Sequence, residues 1–563
     1  MMSAAPLLVT ACAGERSPQY HQKLVVIGVD GLDPDLVSQF MDAGRLPNMQ
    51  KLAKQGALQR IETTPAADVS AWASFATGTN PGKHGVFATS TPPHRRGPAF
   101  WTLAGQAGVR SAVLDVPITF PPEEVPNGEL LAGWPTPDLR GTPGTPTFFS
   151  SDTSARNEPE RVDPWHIDFK RLVFSQGVAH STITGPNAAA LPISIFWNKE
   201  GKSATLDVDG NSIRLEEGEW SKWLPIDFDR SWFSYKRGMI EFCLVRAGSG
   251  FALYASPIHW KADHPPSPLS APAHLSGDLF ERIGPYRTLG WSEATAALDA
   301  GLLDDKAFMD DVSRAFDDRA QIILQRLDTK NWDLLVGELD SVDRVQHVMW
   351  RLTDPAHPAY DKAAAARAGD AIAQMYRRCD DLLGEIVKHA GSDATIVMLS
   401  VYGEHEVTQT FDLNRWLAGE TSPGAATATI GGGITLTPQA RPMEDHLIAR
   451  LTALLDPATR LPIISAVYKR DAVYSGPASG SAPDLQVGLV PGYGFASTTT
   501  VYAPNKRKWS ADHAGIDYRS VPGTLLSSRP TSTDSPRVID IAPTVLRYFG
   551  VPIPTEIDGT PIF

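Results

Sequence analysis

The sequence predicts an α/β protein with a mainly parallel central sheet, helices on both faces and a β-rich insertion. Three observations carry this. Leu24-Val25-Val26-Ile27-Gly28-Val29-Asp30 is a continuous apolar run ending in Asp-Gly, the pattern of a strand buried on both faces. Strand-like and helix-like spacing then alternate as far as residue 116, as βαβ units do. Near Gly141-Thr142-Pro143-Gly144 that rhythm gives way to short strands, and it resumes only after the Pro-rich residues 257–272.

Taken in order, residues 33–43 and 46–55 carry helical spacing, with Pro47 near the start of the second helix. A strand near 57–63, a short helix from about 71 and a strand near 111–116 come next. In the insertion, Ile193–Trp197, Ile240–Leu244 and Phe251–Tyr254 read as strands, and Asp209-Gly210-Asn211 as a hairpin turn. The α/β pattern returns with a helix over 306–327, the strand Leu334–Leu339, a long helix over 359–390 and a strand ending at Ser400. Val538–Leu546 opens a last helix. The expected organisation is a leader or lipoprotein-type N-terminus (1–20), a first part of the α/β domain (21–146), the β-rich insertion (147–262) and a second part (263–563).

A length of 563 residues suits one large domain with an insertion, and 42% hydrophobic with 20% charged residues is ordinary for a globular chain. A net charge of -13 argues against nucleic acid as a partner. No apolar stretch reaches the length of a membrane-spanning helix. The three cysteines, Cys12, Cys243 and Cys379, are too few for a disulfide framework. Leu8-Val9-Thr10-Ala11-Cys12 resembles the lipobox of bacterial lipoproteins, which would anchor the chain by lipid in the cell envelope or periplasm. Residues 1–11 lack Lys and Arg, so an ordinary N-terminus on a cytoplasmic protein stands as the alternative.

Four candidate metal ligands sit at strand ends or in loops. Asp30 closes the first strand. Asp343 and His347 come after the 334–339 strand at a spacing that puts both on one helix face. His513 lies in Trp509-Ser510-Ala511-Asp512-His513. Sites in open α/β sheets form beyond the carboxyl ends of strands, and carboxylate with imidazole suits zinc first, then manganese or iron. Singly, each residue also reads as a turn, an exposed polar pair or a loop histidine.

Together with Ala71–Gly78, Asn80–Phe87, Asp343-Arg344-Val345-Gln346-His347 and Val521-Pro522-Gly523, these stretches carry a resemblance along nearly the whole chain. The sequence resembles the type I phosphodiesterase/nucleotide pyrophosphatase branch of the alkaline phosphatase superfamily. The resemblance implies an alkaline-phosphatase-like fold, two divalent metals, usually zinc, and a Ser or Thr nucleophile attacking a phosphate ester. It assigns Asp343, His347 and His513 to one metal. Asp30, the nucleophile and an Asp-His pair belong to the other.

The chain departs from that pattern in three places. The nucleophile position falls on Asp68, with Ser70 two residues on as a weaker substitute. Val401 and Tyr402 stand where Asp and His are expected. Glu404 and His405 lie nearby, on a loop too short for them to be expected as replacements. One ion is therefore expected rather than two, with little or no phosphoesterase turnover. The alternatives are a working hydrolase of phosphate esters with an altered site, and a structural protein with relic ligands. A phosphorylated small molecule is the ligand class implied; the oligomeric state is left open. Trp220–Trp223 reads as packing within the insertion before it reads as a ligand platform.

Overall fold

Lys23–Val29 (β1) is buried on both faces because its side chains serve two cores. Val25 and Ile27 join one hydrophobic cluster and Leu24 and Val26 the other. The computed structural model describes residues 20–65, 68–87, 95–152, 160–162, 165–231 and 234–563, so the expected leader and the Cys12 anchor lie outside the described residues.

The central sheet adds Ala57–Ile61 (β2), Ser111–Leu114 (β3), Glu129–Leu131 (β4), Ser270–Ala271 (β5), Leu334–Leu339 (β6), Ala394–Leu399 (β7) and Gly523–Ser527 (β8). The order is β5-β4-β3-β6-β1-β7-β8-β2. Pairings from β4 through β7 are parallel, and those made by β5 and β8 are antiparallel. The expected mainly parallel sheet is the one observed. Helices Asp305–Asp328 and Ala371–Ala390 cover one face through Phe308, Val312, Ile323, Tyr376 and Leu383. Helices Val69–Thr77, Phe100–Gln106 and Ile541–Tyr548 cover the other through Trp72, Phe75, Phe100 and Leu546.

Strands between Thr147 and Trp260 build three smaller sheets beside the central one. The Asp209-Gly210 turn joins Ser203–Val208 to Asn211–Glu216 with both residues at positive φ (47° and 79°), as a two-residue hairpin loop requires. Trp220 donates its indole N–H to the Ala307 carbonyl at 3.0 Å and packs on Tyr254, while Trp223 packs on His259 and Arg287. These tryptophans are packing residues.

Two features differ from the sequence pattern. The helix expected over 359–390 is two helices, Lys362–Ala368 and Ala371–Ala390. Gly369 closes the first through its amide to Ala365, and the Asp370 carbonyl opens the second, at the weakest helix former in the run. Residues from Leu413 to Leu489 carry a further sheet of Ala426–Ala428, Gly433–Leu436, Ile464–Lys469 and Leu485–Leu489 over a hydrophobic cluster of its own. Hydrophobic patterning did not separate this segment from the α/β domain.

Gly28 fixes how closely helix Val69–Thr77 approaches β1. A Cβ there would lie 2.3 Å from the Trp72 ring, so only glycine lets that indole lie across the strand. Gly28→Ala should therefore cost about 1–3 kcal/mol of stability, as overpacking does. Chemical denaturation of variant and parent checks this, and an unchanged midpoint would show that the indole moves aside freely.

Candidate metal centre

Parallel register brings three strand ends level. Gly28 pairs with Glu338 on one side and Leu399 on the other, so Asp30, the segment after β6 and the segment after β7 emerge side by side. The Asp30 amide donates to Leu339 (2.8 Å), and the Asp343 amide donates to the Asp30 carbonyl (3.1 Å). Helix Ser341–Met349 then presents Asp343 and His347 one turn apart. His513 arrives just after Ala511–Asp512, which pairs with His405–Phe411. Gly31, at φ 74°, permits this crowding, since a Cβ there would sit 2.6 Å from Glu404 Oε1 and 2.9 Å from Asp343 Cα.

Asp343, His347 and His513 are all buried, and one ligand atom from each lies within 4.8 Å of the others. Asp343 Oδ1 is 3.3 Å from both imidazole Nε2 atoms. The His347 Nδ1–H donates to the Ala511 carbonyl at 2.7 Å, which leaves Nε2 as the free lone pair facing the group. Asp343 Oδ1 has no conventional hydrogen bond among the described residues. A carboxylate oxygen without a donor, between two imidazole nitrogens, is the donor set of a divalent cation such as zinc. The residues fit the group.

Charge around the centre is balanced by Arg344 and the imidazoles. Arg344 bonds Asp343 and lies 3.4 Å from the Trp291 ring centre. Burial alone would raise the Asp343 carboxyl, yet His347 and Arg344 hold it well below the usual range. Burial works against the His513 cation, but the charge of the Asp343 carboxylate 3.3 Å away pushes it up to about 9. Trp509 stacks on His347 (4.0 Å, 25°) and Tyr402 on His513 (3.8 Å, 14°), so each imidazole is held flat against an aromatic ring.

The other sequence candidates are placed differently. Asp30 is buried beside Asp343 but outside the three-residue group. Its Oδ1 accepts the Trp72 indole N–H at 3.0 Å. Burial and the Asp343 charge raise Asp30 to about 6. Asp68 caps helix Val69–Thr77, its Oδ1 accepting the Ser70 amide at 2.8 Å; burial raises it to about 7, with the Ser70 amide and His513 opposing. Ser70 itself is fully buried in the helix, with no partner for its hydroxyl among the described residues.

Glu404 lies outside the three-residue group. It is fully buried, one carboxyl oxygen lies 3.7 Å from His347 Nδ1, and burial together with Asp343 raises it well above the carboxylate range. His405 turns away, with Nε2 2.7 Å from the Ser520 carbonyl. Arg344 and Trp72 were missed, although each lies inside a stretch that carried the resemblance.

Comparison with known proteins decides the family. The type I phosphodiesterase/nucleotide pyrophosphatase family model matches residues 24–184 and 198–515. The chain belongs to this family, within the alkaline phosphatase superfamily. Solved structures with which it aligns include phosphonoacetate hydrolase from Sinorhizobium meliloti 1021 in complex with phosphonoacetate, at 12% identity and TM-score 0.48 over 98% of this chain and 100% of that one. Another is an inactive form of murine ectonucleotide pyrophosphatase/phosphodiesterase 5 in complex with AMP, at 9% identity and TM-score 0.45 over 95% and 96%. No curated protein matches the sequence. Among the described residues no helix is long and apolar enough to cross a membrane.

Members of this family are metal-dependent, and the Asp343, His347 and His513 group is the candidate metal site here. The pH dependence of metal uptake is set by His513. Its folded value of about 9 lies above the unfolded value near 6.5, so in the metal-free protein the pair with Asp343 stabilises fully below pH 6.5 and loses that contribution as pH rises through 9. A cation must displace that proton. Zinc affinity should therefore rise about tenfold per unit between pH 7 and 9 and flatten above, with about one proton released from His513. Calorimetric titration in buffers of different ionisation enthalpy measures this, and a pH-independent affinity would count against His513 as a ligand.

Proposed function

We propose that this chain is a divergent family member that holds one divalent cation, zinc foremost, at Asp343, His347 and His513. In this reading it binds a phosphorylated small molecule with little or no phosphoesterase turnover. The observation that carries the reading is the contrast between the two halves of the site. One half brings two imidazoles within 3.3 Å of an Asp343 oxygen that makes no hydrogen bond among the described residues. The other has a helix-capping carboxylate, Asp68, at the nucleophile position and an apolar Val401 where a ligand is expected.

The bound cation would supply a Lewis-acidic anchor for a phosphoryl oxygen. The protein's own residues limit the chemistry open to such a ligand. Asp68 keeps one oxygen on the Ser70 amide, which commits that oxygen to capping the helix. Ser70, inside the helix, offers its hydroxyl to no described partner that could take its proton. Binding is therefore retained where activation of a nucleophile is not. A phosphorylated ligand is supported by the family.

The second reading, a working hydrolase with an altered site, is favoured by Asp68 alone: a buried carboxyl near neutrality facing His513 can exchange a proton. Lipid anchoring at Cys12 in the envelope or periplasm, and the division at residues 20, 146 and 262, complete the proposed picture.

The test is metal content by elemental mass spectrometry, with hydrolysis of an activated phosphodiester under zinc, manganese and magnesium. The reading expects about one zinc per chain, lost in Asp343→Ala, and turnover at the background rate. Hydrolysis at rates typical of enzymes, abolished by Asp343→Ala, would move the working-hydrolase reading ahead. No metal at all would leave a structural protein.

A further inference from the structure

We propose that strand Val178–Thr184, the open edge of the insertion's four-stranded sheet, pairs antiparallel with the same strand of a second copy of this chain. The two sheets then join across a two-fold axis at Thr182. The inference goes beyond the metal centre and does not depend on it.

The sheet runs Asn211–Glu216, Ser203–Val208, Ala190–Asn198, Val178–Thr184, and the last strand is paired on one side only. Two bonds bracket its ladder. The Trp197 amide donates to the Gly177 carbonyl and the Gly185 amide to the Ala189 carbonyl, each at 2.7 Å. Odd-numbered residues therefore turn their backbone groups inward, and His180, Thr182 and Thr184 turn theirs outward. Among the described residues, these outward groups bond to no other backbone. Val178 differs, because the Gln176-Gly177 turn (φ 51° and 81°) brings Ser175 back against it. The chain then leaves the edge, with the Leu172 amide on the Ser150 carbonyl.

Proteins guard such edges with charge, proline, bulges or brevity. Among the described residues, every other edge strand of five residues or more carries a charged side chain: Arg60, Arg214, Asp227, Arg246 or Lys469. Val178–Thr184 is seven residues long, has no Lys, Arg, Asp, Glu or Pro, and pairs without a bulge. This edge is unguarded.

Its complement is itself. Antiparallel pairing about Thr182 sets His180 against Thr184 of the second copy, Ser181 against Ile183, and Thr182 against Thr182. Every outward N–H and C=O then has a partner, as a two-fold contact requires. Val178, whose open side Ser175 already fills, falls opposite Pro186, which has no N–H to satisfy. Charge selects the same occupant. A chain of net charge -13 repels its copies wherever acidic surfaces meet, and no carboxylate lies on this strand. The neighbouring outer face is uncharged too: Val178 pairs with Phe196, 39% exposed, and Thr182 with Pro192. Val173, just before the Ser175 turn, is 77% exposed and lies at the same end of the edge.

The experiment is sedimentation velocity on the full-length protein, up to about 100 μM chain, where small interfaces assemble. Wild type is expected to sediment as a dimer. Thr182→Lys sets like charges face to face on the axis, and loss of the dimer is expected with an unchanged thermal midpoint. Thr182→Cys in a Cys12→Ser background reads the register. Its paired Cα atoms would lie about 5.5 Å apart, within the span of a disulfide. Diamide is expected to link these chains, and not those of Asp207→Cys, an exposed position two strands in from the edge. Cys243 and Cys379 are fully buried and do not compete.

A monomeric wild type would overturn the inference, including one whose edge takes up an extended peptide of another protein instead. A dimer that survives in Thr182→Lys would overturn it by placing the contact elsewhere. So would linking no better at residue 182 than at 207, and that comparison decides if Thr182→Lys fails to fold.

Discussion

Asp343 is a fully buried carboxylate, and keeping it ionised is the constraint around which the centre is arranged. Burial of a lone carboxylate in a protein interior is strongly unfavourable, so its charge must be met by donors and cations fixed in place. Arg344 bonds it from the adjoining position, and His347 and His513 face its other oxygen at 3.3 Å. Each of these partners is in turn immobilised. Trp291 lies against the guanidinium, Trp509 against one imidazole and Tyr402 against the other. The aromatic rings leave the charged groups few rotamers, which is how a site becomes pre-organised before any ligand arrives.

The same constraint explains the spread of carboxyl affinities nearby. Asp343 is pulled down by its cationic partners, while Asp30, Asp68 and Glu404, a few side chains away, are all raised. The protein has one cationic balance and spends it on one acid. The Trp72 indole donates to Asp30 and the Ser70 amide to Asp68, and burial with the Asp343 charge disfavours the charged form of Glu404. On the Asp30 side the neutral donor is the Trp72 indole.

Placement of the centre is a consequence of topology. Five parallel strands end at one edge of the sheet, and the adjacent register of β6, β1 and β7 makes three loops neighbours although they are far apart in sequence. The sheets built between Thr147 and Trp260, and the one between Leu413 and Leu489, lie outside this arrangement and contribute no ligand to the three-residue group.

The sequence by itself determined the class of fold and the identity of the candidate ligands. A continuous apolar strand ending in Asp-Gly, an Asp and His at helical spacing and a family-like Asp-His loop are local patterns, and local patterns are read without coordinates. The substitution of Val401 and Tyr402 was equally legible as a loss. Only the tertiary structure decided what surrounds these positions. That Trp72 reaches Asp30, that Tyr402 lies on His513 and that Glu404 points inward are facts about side-chain direction across strands far apart in sequence. No spacing rule encodes them. The break at Gly369 and the separate sheet after Leu413 escaped for a related reason: a helical hydrophobic period continues through a single glycine, and two packed cores share the same apolar alphabet.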